Sequence, residues 1–114
     1  MVQHIASRFD TTFAALADPT RRGVLERLGQ ADCSISTLAD AFGMTLTGMK
    51  KHVGVLEQAG LVTTEKHGRV RTCRLGSLRL EDESAWLEAY RQRWTARFDA
   101  LDTVLASLKQ TTQE

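Results

Sequence analysis

The sequence predicts a mainly α-helical fold carrying one β-hairpin, on three observations. Between Ser36 and Gly60, apolar residues recur at helical spacing on both sides of a glycine. Two short alternating runs then flank His67-Gly68, the spacing of a hairpin. From about Leu80 to Leu108 the chain runs without glycine or proline, with large apolar residues every three or four positions. At 114 residues, 42% hydrophobic and 25% charged, it reads as one domain over 1–114 with an ordinary core.

Composition narrows the setting. No apolar run approaches the ~20 residues that span a bilayer, and the N-terminal MVQHIASRFD lacks the charged and apolar regions of a signal peptide. Cys33 and Cys73 are too few and too isolated for a disulfide framework, so a reduced cytoplasmic protein is expected. The net charge is only +1, yet its distribution is uneven. Residues 44–75 carry six basic residues (Lys50, Lys51, Lys66, Arg69, Arg71, Arg74) against Glu57 and Glu65, a balance of +4; the rest, with nine basic and twelve acidic, balances at −3.

The elements follow in order. Residues 1–17 form an amphipathic first helix, with Val2, Ile5, Phe9, Phe13 and Leu16 three or four apart. Asp18-Pro19 starts the second, Asp as N-cap and Pro at the first helical position. Val24, Leu25 and Leu28 form its core face, and Gly29 stops it. Arg21 and Arg22 fall in its first turn, where the helix dipole disfavours cations; they either pair with Asp18 or Glu26 or meet a phosphate.

Residues 36–60 are two helices around a tight break. Leu38, Ala39 and Phe42 share a face of the first, and Gly43 supplies the turn. Thr45 caps the second, whose inner face is Leu46, Met49, Val53 and Leu56, with Gly60 just past its end. At 100° per residue Thr47, Gly48, Lys51 and Gln58 point the other way, with Lys50 and His52 on the flanks. Helix, glycine turn, and a helix with a small, polar and basic outer face is the helix-turn-helix arrangement, a DNA-reading element. Residues 61–75 form a basic wing behind it, with Arg69 and Arg71 at and beside the tip, in reach of phosphates or a minor groove.

The last helix, over 80–108, lines up Trp86, Tyr90, Trp94, Phe98, Leu101, Leu105 and Leu108. Glu81, Asp82 and Glu83 suit its first turn and Lys109 its last, and the TTQE tail is expected to fray. A helix this long exposes ends beyond a small domain. A homodimer interface is therefore expected from Phe9, Phe13, Trp86, Tyr90, Trp94, Phe98, Leu101 and Leu105.

The stretches DPTRRGVLERL, STLADAFGMTLTGMKKHVGVLEQAGLV and GRVRTCRL, with the long last helix, resemble the ArsR family of bacterial winged-helix repressors. The resemblance covers roughly residues 13–105. It implies a winged helix-turn-helix fold and a homodimeric transcriptional regulator bound to a double-stranded DNA operator. The expected DNA-binding residues are Thr45, Thr47, Gly48, Lys50, Lys51, His52, Arg69 and Arg71. Founding members sense metals, but the family's thiolate pair falls here on Ser34 and Ser36, with Cys33 one residue out of register. His4, His52 and His67 are the only histidines. Neither metal site nor cofactor is expected, since zinc wants about four clustered ligands. The effector is unknown.

Other classes are weaker. There is no H-E-x-x-H or G-x-S-x-G, and Met49 stands where a phosphate loop spaced from Gly43 to Gly48 needs lysine, so an enzyme is not expected. A thiol-redox or small-ligand-responsive regulator would use Cys33 and Cys73, if they lie close in space. A winged-helix protein-interaction module would carry an apolar outer face on the reading helix; only Val55 departs from the polar pattern there.

Overall fold

The computed structural model describes the backbone of residues 2–113 and the side chains of residues 8–110. The chain divides into two compact units, Met1–Arg79 and Leu80–Glu114.

The first unit opens with α1 (Val2–Leu16) and α2 (Pro19–Leu28). Of the expected α1 stripe, Val2 and Ile5 lie outside the described side chains; Phe9, Phe13 and Leu16 are half-buried, and Ala15 is fully buried. Asp18 caps α2 as expected, its Oδ2 accepting from the Arg21 N–H at 3.0 Å. That bond, with the nearby Arg21 charge and the Thr20 N–H, holds the Asp18 carboxyl below the usual carboxylate range. Arg21 and Arg22 do something the sequence did not disclose. Arg21 donates to the carbonyls of Ala15 (2.8 Å) and Ala14 (2.9 Å), and Arg22 to that of Leu16 (2.8 Å). Cations in a helix's first turn are unfavourable for that helix, but here they satisfy the orphan carbonyls ending the preceding one.

Next come a two-residue strand β1 (Cys33–Ser34), α3 (Ile35–Ala41) and α4 (Leu46–Gln58). Ser34 caps α3, accepting from the Thr37 N–H at 3.1 Å, and Gly43 turns the chain at φ +62°. The Phe42 ring lies so close to α2 that a Cβ on Gly23 would sit 2.7 Å from it. Any larger residue at 23 would have to displace that ring. α4 ends in a Schellman motif: Leu61 N–H reaches the Leu56 carbonyl at 2.9 Å and Gly60 N–H the Glu57 carbonyl at 3.0 Å, with Gly60 at φ +78°.

The hairpin is β2 (Val62–His67) and β3 (Val70–Leu75), and β1 adds to its far side to give the antiparallel order β1-β3-β2. The third strand was not expected. Val24, Leu28, Ile35, Leu38, Met49, Val53, Leu56, Leu61 and Val62 form the core between helices and sheet. Three residues expected on inner faces fall outside it: Leu25 and Phe42 are half-buried, and Leu46 is exposed. Leu46 opens α4, three residues before Met49 and within about 60° of the buried line, yet it is 43% exposed.

The second unit is α5 (Glu81–Gln113), which outruns the expected end at Leu108. It includes all but the last residue of the tail expected to fray, so Lys109 lies short of the final turn. Glu81, Asp82 and Glu83 occupy the first turn, complementing the helix dipole. Leu80 precedes it at φ +62°, unusual for a branched residue, and its carbonyl accepts from the Ser84 N–H at 2.7 Å.

Candidate nucleic-acid interface

The buried line Met49, Val53 and Leu56 fixes which way the rest of α4 points. At 100° per residue, Thr47, Lys51, Gly54 and Gln58 line the opposite edge, all but the half-buried Gly54 exposed, while Gly48, expected among them, falls toward the flank and is half-buried. Thr45 Oγ1 accepts from the Gly48 N–H at 3.1 Å, so this hydroxyl serves first as the helix cap. A Cβ on Gly48 would stand 3.2 Å from that same oxygen and 3.4 Å from Met44 Cε. Glycine there leaves the cap its room. Gly54 has no such reason: a Cβ would meet nothing within 4 Å.

Strand alternation sorts the wing into two faces. On the outer one Glu65 holds Arg74 at 2.8 Å and His67 at 3.5 Å, so acid and base cancel. On the inner one Val62, Thr64 and Lys66 stand opposite Leu75, Cys73 and Arg71. Arg71 donates to Thr64 Oγ1 at 2.9 Å, and Thr64 donates to Glu57 Oε2 at 2.8 Å, tying the wing to α4. The turn is Gly68-Arg69, flanked by the pair His67–Val70, one residue later than the expected His67-Gly68. Gly68 at φ +63° takes the first central position, as a type II′ turn requires, and Arg69 comes to the apex.

Between α4 and the wing lies a cleft of about 300 Å³. Lys50, Lys66, Arg69 and Arg71 line it together with Ser34, Ser36 and Leu46, and no carboxylate is among the lining residues. Lys50 thus belongs to the wing side of α4. Lys66 was not among the expected site residues, although its alternation with Val62 and Thr64 already placed it on their face.

His52, on the other flank, departs from the set. Its Nδ1 meets Arg21 Nη1 at 3.1 Å, and the ring is largely covered. Asp18 Oδ2, at 3.9 Å, is beyond hydrogen-bond range of that nitrogen. Arg21 and Arg22 are engaged on α1 carbonyls and are not among the residues that line the cleft.

Two features bear on sensing. Ser34, at the position of the resemblance's thiolate pair, is spent on capping α3 and also donates to Thr37 Oγ1 at 2.9 Å. Among the described residues no group of three His, Cys, Asp or Glu side chains is arranged to hold a metal ion.

In the second unit the α5 stripe is exposed along its length, from 46% at Trp86 to 58% at Leu108. Trp86 and Tyr90 stack at 5.8 Å, Trp94 and Phe98 at 5.0 Å, and Trp94 Nε1 donates to the Tyr90 hydroxyl at 2.8 Å. A groove of about 480 Å³ runs along Tyr90, Trp94, Phe98 and Leu101, edged by Arg93 and Arg97. In the first unit, Phe9 and Phe13 meet edge to face at 6.1 Å.

This geometry is that of a winged helix-turn-helix protein. A helix-turn-helix domain model matches residues 16–65, from the end of α1 into the wing. The transcriptional repressor SdpR of Bacillus subtilis (strain 168) is 27% identical over 78 residues, covering 68% of this chain and 87% of SdpR. A crystal structure of an ArsR family transcriptional regulator superposes with a TM-score of 0.73 at 40% identity, covering 79% of this chain and 93% of that one. An ArsR-like transcriptional regulator from Rhodococcus sp. RHA1 does so with a TM-score of 0.76 at 32% identity, covering 94% and 98%. The chain belongs to the ArsR family: it is a DNA-binding transcriptional regulator and not an enzyme.

Proposed function

We propose that the protein is a cytoplasmic, homodimeric repressor that places α4 in the major groove of a double-stranded operator and its wing against the neighbouring backbone. The observation that carries this reading is the alignment of Thr47 and Lys51 on the edge of α4 away from its core, beside a cleft lined by four cations. With a helix in one groove and a wing tip toward the next, the intervening phosphate strand crosses the cleft. Lys50, Lys66 and Arg71 are its phosphate contacts, Arg69 reaches beyond it, and Thr47 and Lys51 face base edges. Thr45 and Gly48 shape the entering end of the helix. Repression is supported by the likeness to SdpR.

The dimer rests on α5. Nine large apolar side chains about half exposed on one helix, among the described residues, exceed what a soluble monomer ordinarily leaves bare. Phe9 and Phe13 of α1 extend that interface. Among the described residues no helix is long and apolar enough to cross a membrane.

The test is binding to duplex DNA from the protein's own upstream region, against a random duplex, across a range of salt. Neutralising Z phosphates gives a slope near −0.9Z in log K against log salt. A steep slope with preference for the upstream duplex is expected; a salt-insensitive affinity removes the proposed interface.

A further inference from the structure

The two cysteines, far apart in sequence, stand directly opposite each other across the β1–β3 ladder. Opposed residues of antiparallel strands have Cα atoms about 4.5–5.5 Å apart, inside the ~4.4–6.8 Å that a disulfide spans. The wing's turn sets the phase. His67–Val70 closes a two-residue hairpin and is a hydrogen-bonded pair, so Arg71 and Cys73 turn their own N–H and C=O groups toward β1. Cys33–Cys73 is accordingly a hydrogen-bonded pair, the kind whose Cβ atoms stand about 1–2 Å farther apart than a relaxed disulfide holds them. A bond here forms by drawing β1 and β3 together, which leaves it readily reducible.

Access is unequal. Cys73 is fully buried, and burial, followed by the adjacent Cys33 and then Glu57, pushes its thiol up to about 11 against a smaller opposing pull from Arg71. Cys33 is half-exposed and is the sulfur a diffusing oxidant meets.

We propose that Cys33 and Cys73 form a reversible intramolecular disulfide on exposure to a hydroperoxide, and that closing it weakens operator binding. The Cys33 thiolate attacks one peroxide oxygen; the S–O bond forms, the O–O bond breaks, and the departing hydroxide takes a proton and leaves as water. Cys73 then attacks the Cys33 sulfur. The S–S bond forms and the S–O bond breaks, and the second hydroxide takes the Cys73 proton. Two thiols lose two electrons and two protons, and hydrogen peroxide becomes two waters. The link to DNA is positional and rests on the proposed interface. Ser34 follows Cys33, Arg71 shares the inner wing face with Cys73, and both line the cleft. Drawing β1 toward β3 moves the floor on which the phosphate strand lies.

The test uses the full chain, reduced, then treated with hydrogen peroxide, then with dithiothreitol. Intact mass should fall by two hydrogens and recover, and a non-reducing peptide map should join Cys33 to Cys73. Affinity for the upstream duplex should drop about fivefold or more on oxidation and return on reduction, the size of an ordinary coupling between sites. Cys33→Ser and Cys73→Ala should each hold reduced-state affinity through the treatment; Cys33→Ser, at the more accessible position, serves if the buried substitution disturbs folding. Oxygen adducts on Cys33 without the link, or a link between two chains, overturns the proposal. A correct link with unchanged affinity overturns its regulatory half while the DNA interface stands. Absence of binding by the reduced protein condemns the interface, and the mass and map still judge the thiol pair on their own.

Discussion

α4 and α5 carry the same kind of pattern and meet opposite fates. Both set large apolar residues three and four apart. On α4, Met49, Val53 and Leu56 are 0–2% exposed; on α5, Trp94, Phe98 and Leu105 are 50–55% exposed. Periodicity therefore says which side of a helix shuns water, but not whose surface covers it. On α4 the cover comes from the same unit, and the polar edge is left facing out. On α5 the apolar edge is what is left over.

The largest effect should come from a charge on α5. Phe98→Asp buries a carboxylate in the proposed dimer contact, costing several kcal/mol, on the order expected for an unpaired buried charge. Sedimentation velocity should show a monomer, and operator binding should vanish because half-sites about one turn apart need two reading heads. Full operator affinity from that monomer breaks the contrast between the helices. A matched leucine pair sharpens it. Leu56→Ala should cost about 2–5 kcal/mol in denaturant unfolding at any protein concentration. Leu105→Ala should cost stability only through the dimer, so its effect should grow with protein concentration. Identical, concentration-independent losses would mean that both leucines are monomer core.

On the polar edge the effects are smaller. Lys51→Ala should cost roughly 1–3 kcal/mol on the operator and much less on random DNA. Arg71→Ala should weaken both DNAs alike and flatten the salt slope by about one unit. Equal losses on both DNAs for Lys51→Ala would move that lysine to the phosphate class. Smallest of all, Gly54→Ala should raise the stability of the fold by about 0.5–1 kcal/mol, since the new Cβ meets nothing and the helix gains propensity. Thermal melts measure that gain. An accompanying loss of operator affinity would show that DNA comes within a methyl group of the helix there.

Much of this was legible because it is local. Thr45 as cap, Gly43 at a positive φ and Gly60 past the helix end each follow from short-range chemistry that neighbours do not alter. The wing turn slipped by one residue because glycine serves either central position of a two-residue turn, in type I′ or II′, and the flanking residues do not choose between them. β1 was invisible for a different reason: two residues have no period, and their partner strand lies far along the chain. The roles of Arg21 and Arg22 stayed hidden because their acceptors are backbone carbonyls, which every sequence has. Leu46 shows the limit of a helical wheel: it sits where the apolar face begins, and the wing leaves that corner open.

The contact between Arg21 and His52 has a consequence at the level of a single hydrogen atom. A guanidinium only donates, so the Nδ1 that meets Arg21 must accept, and the neutral imidazole keeps its hydrogen on Nε2. One tautomer is thereby selected. Whatever meets the outer edge of this ring must offer a lone pair, as a phosphate oxygen, guanine O6 or a purine N7 does; the exocyclic amino groups of adenine and cytosine cannot.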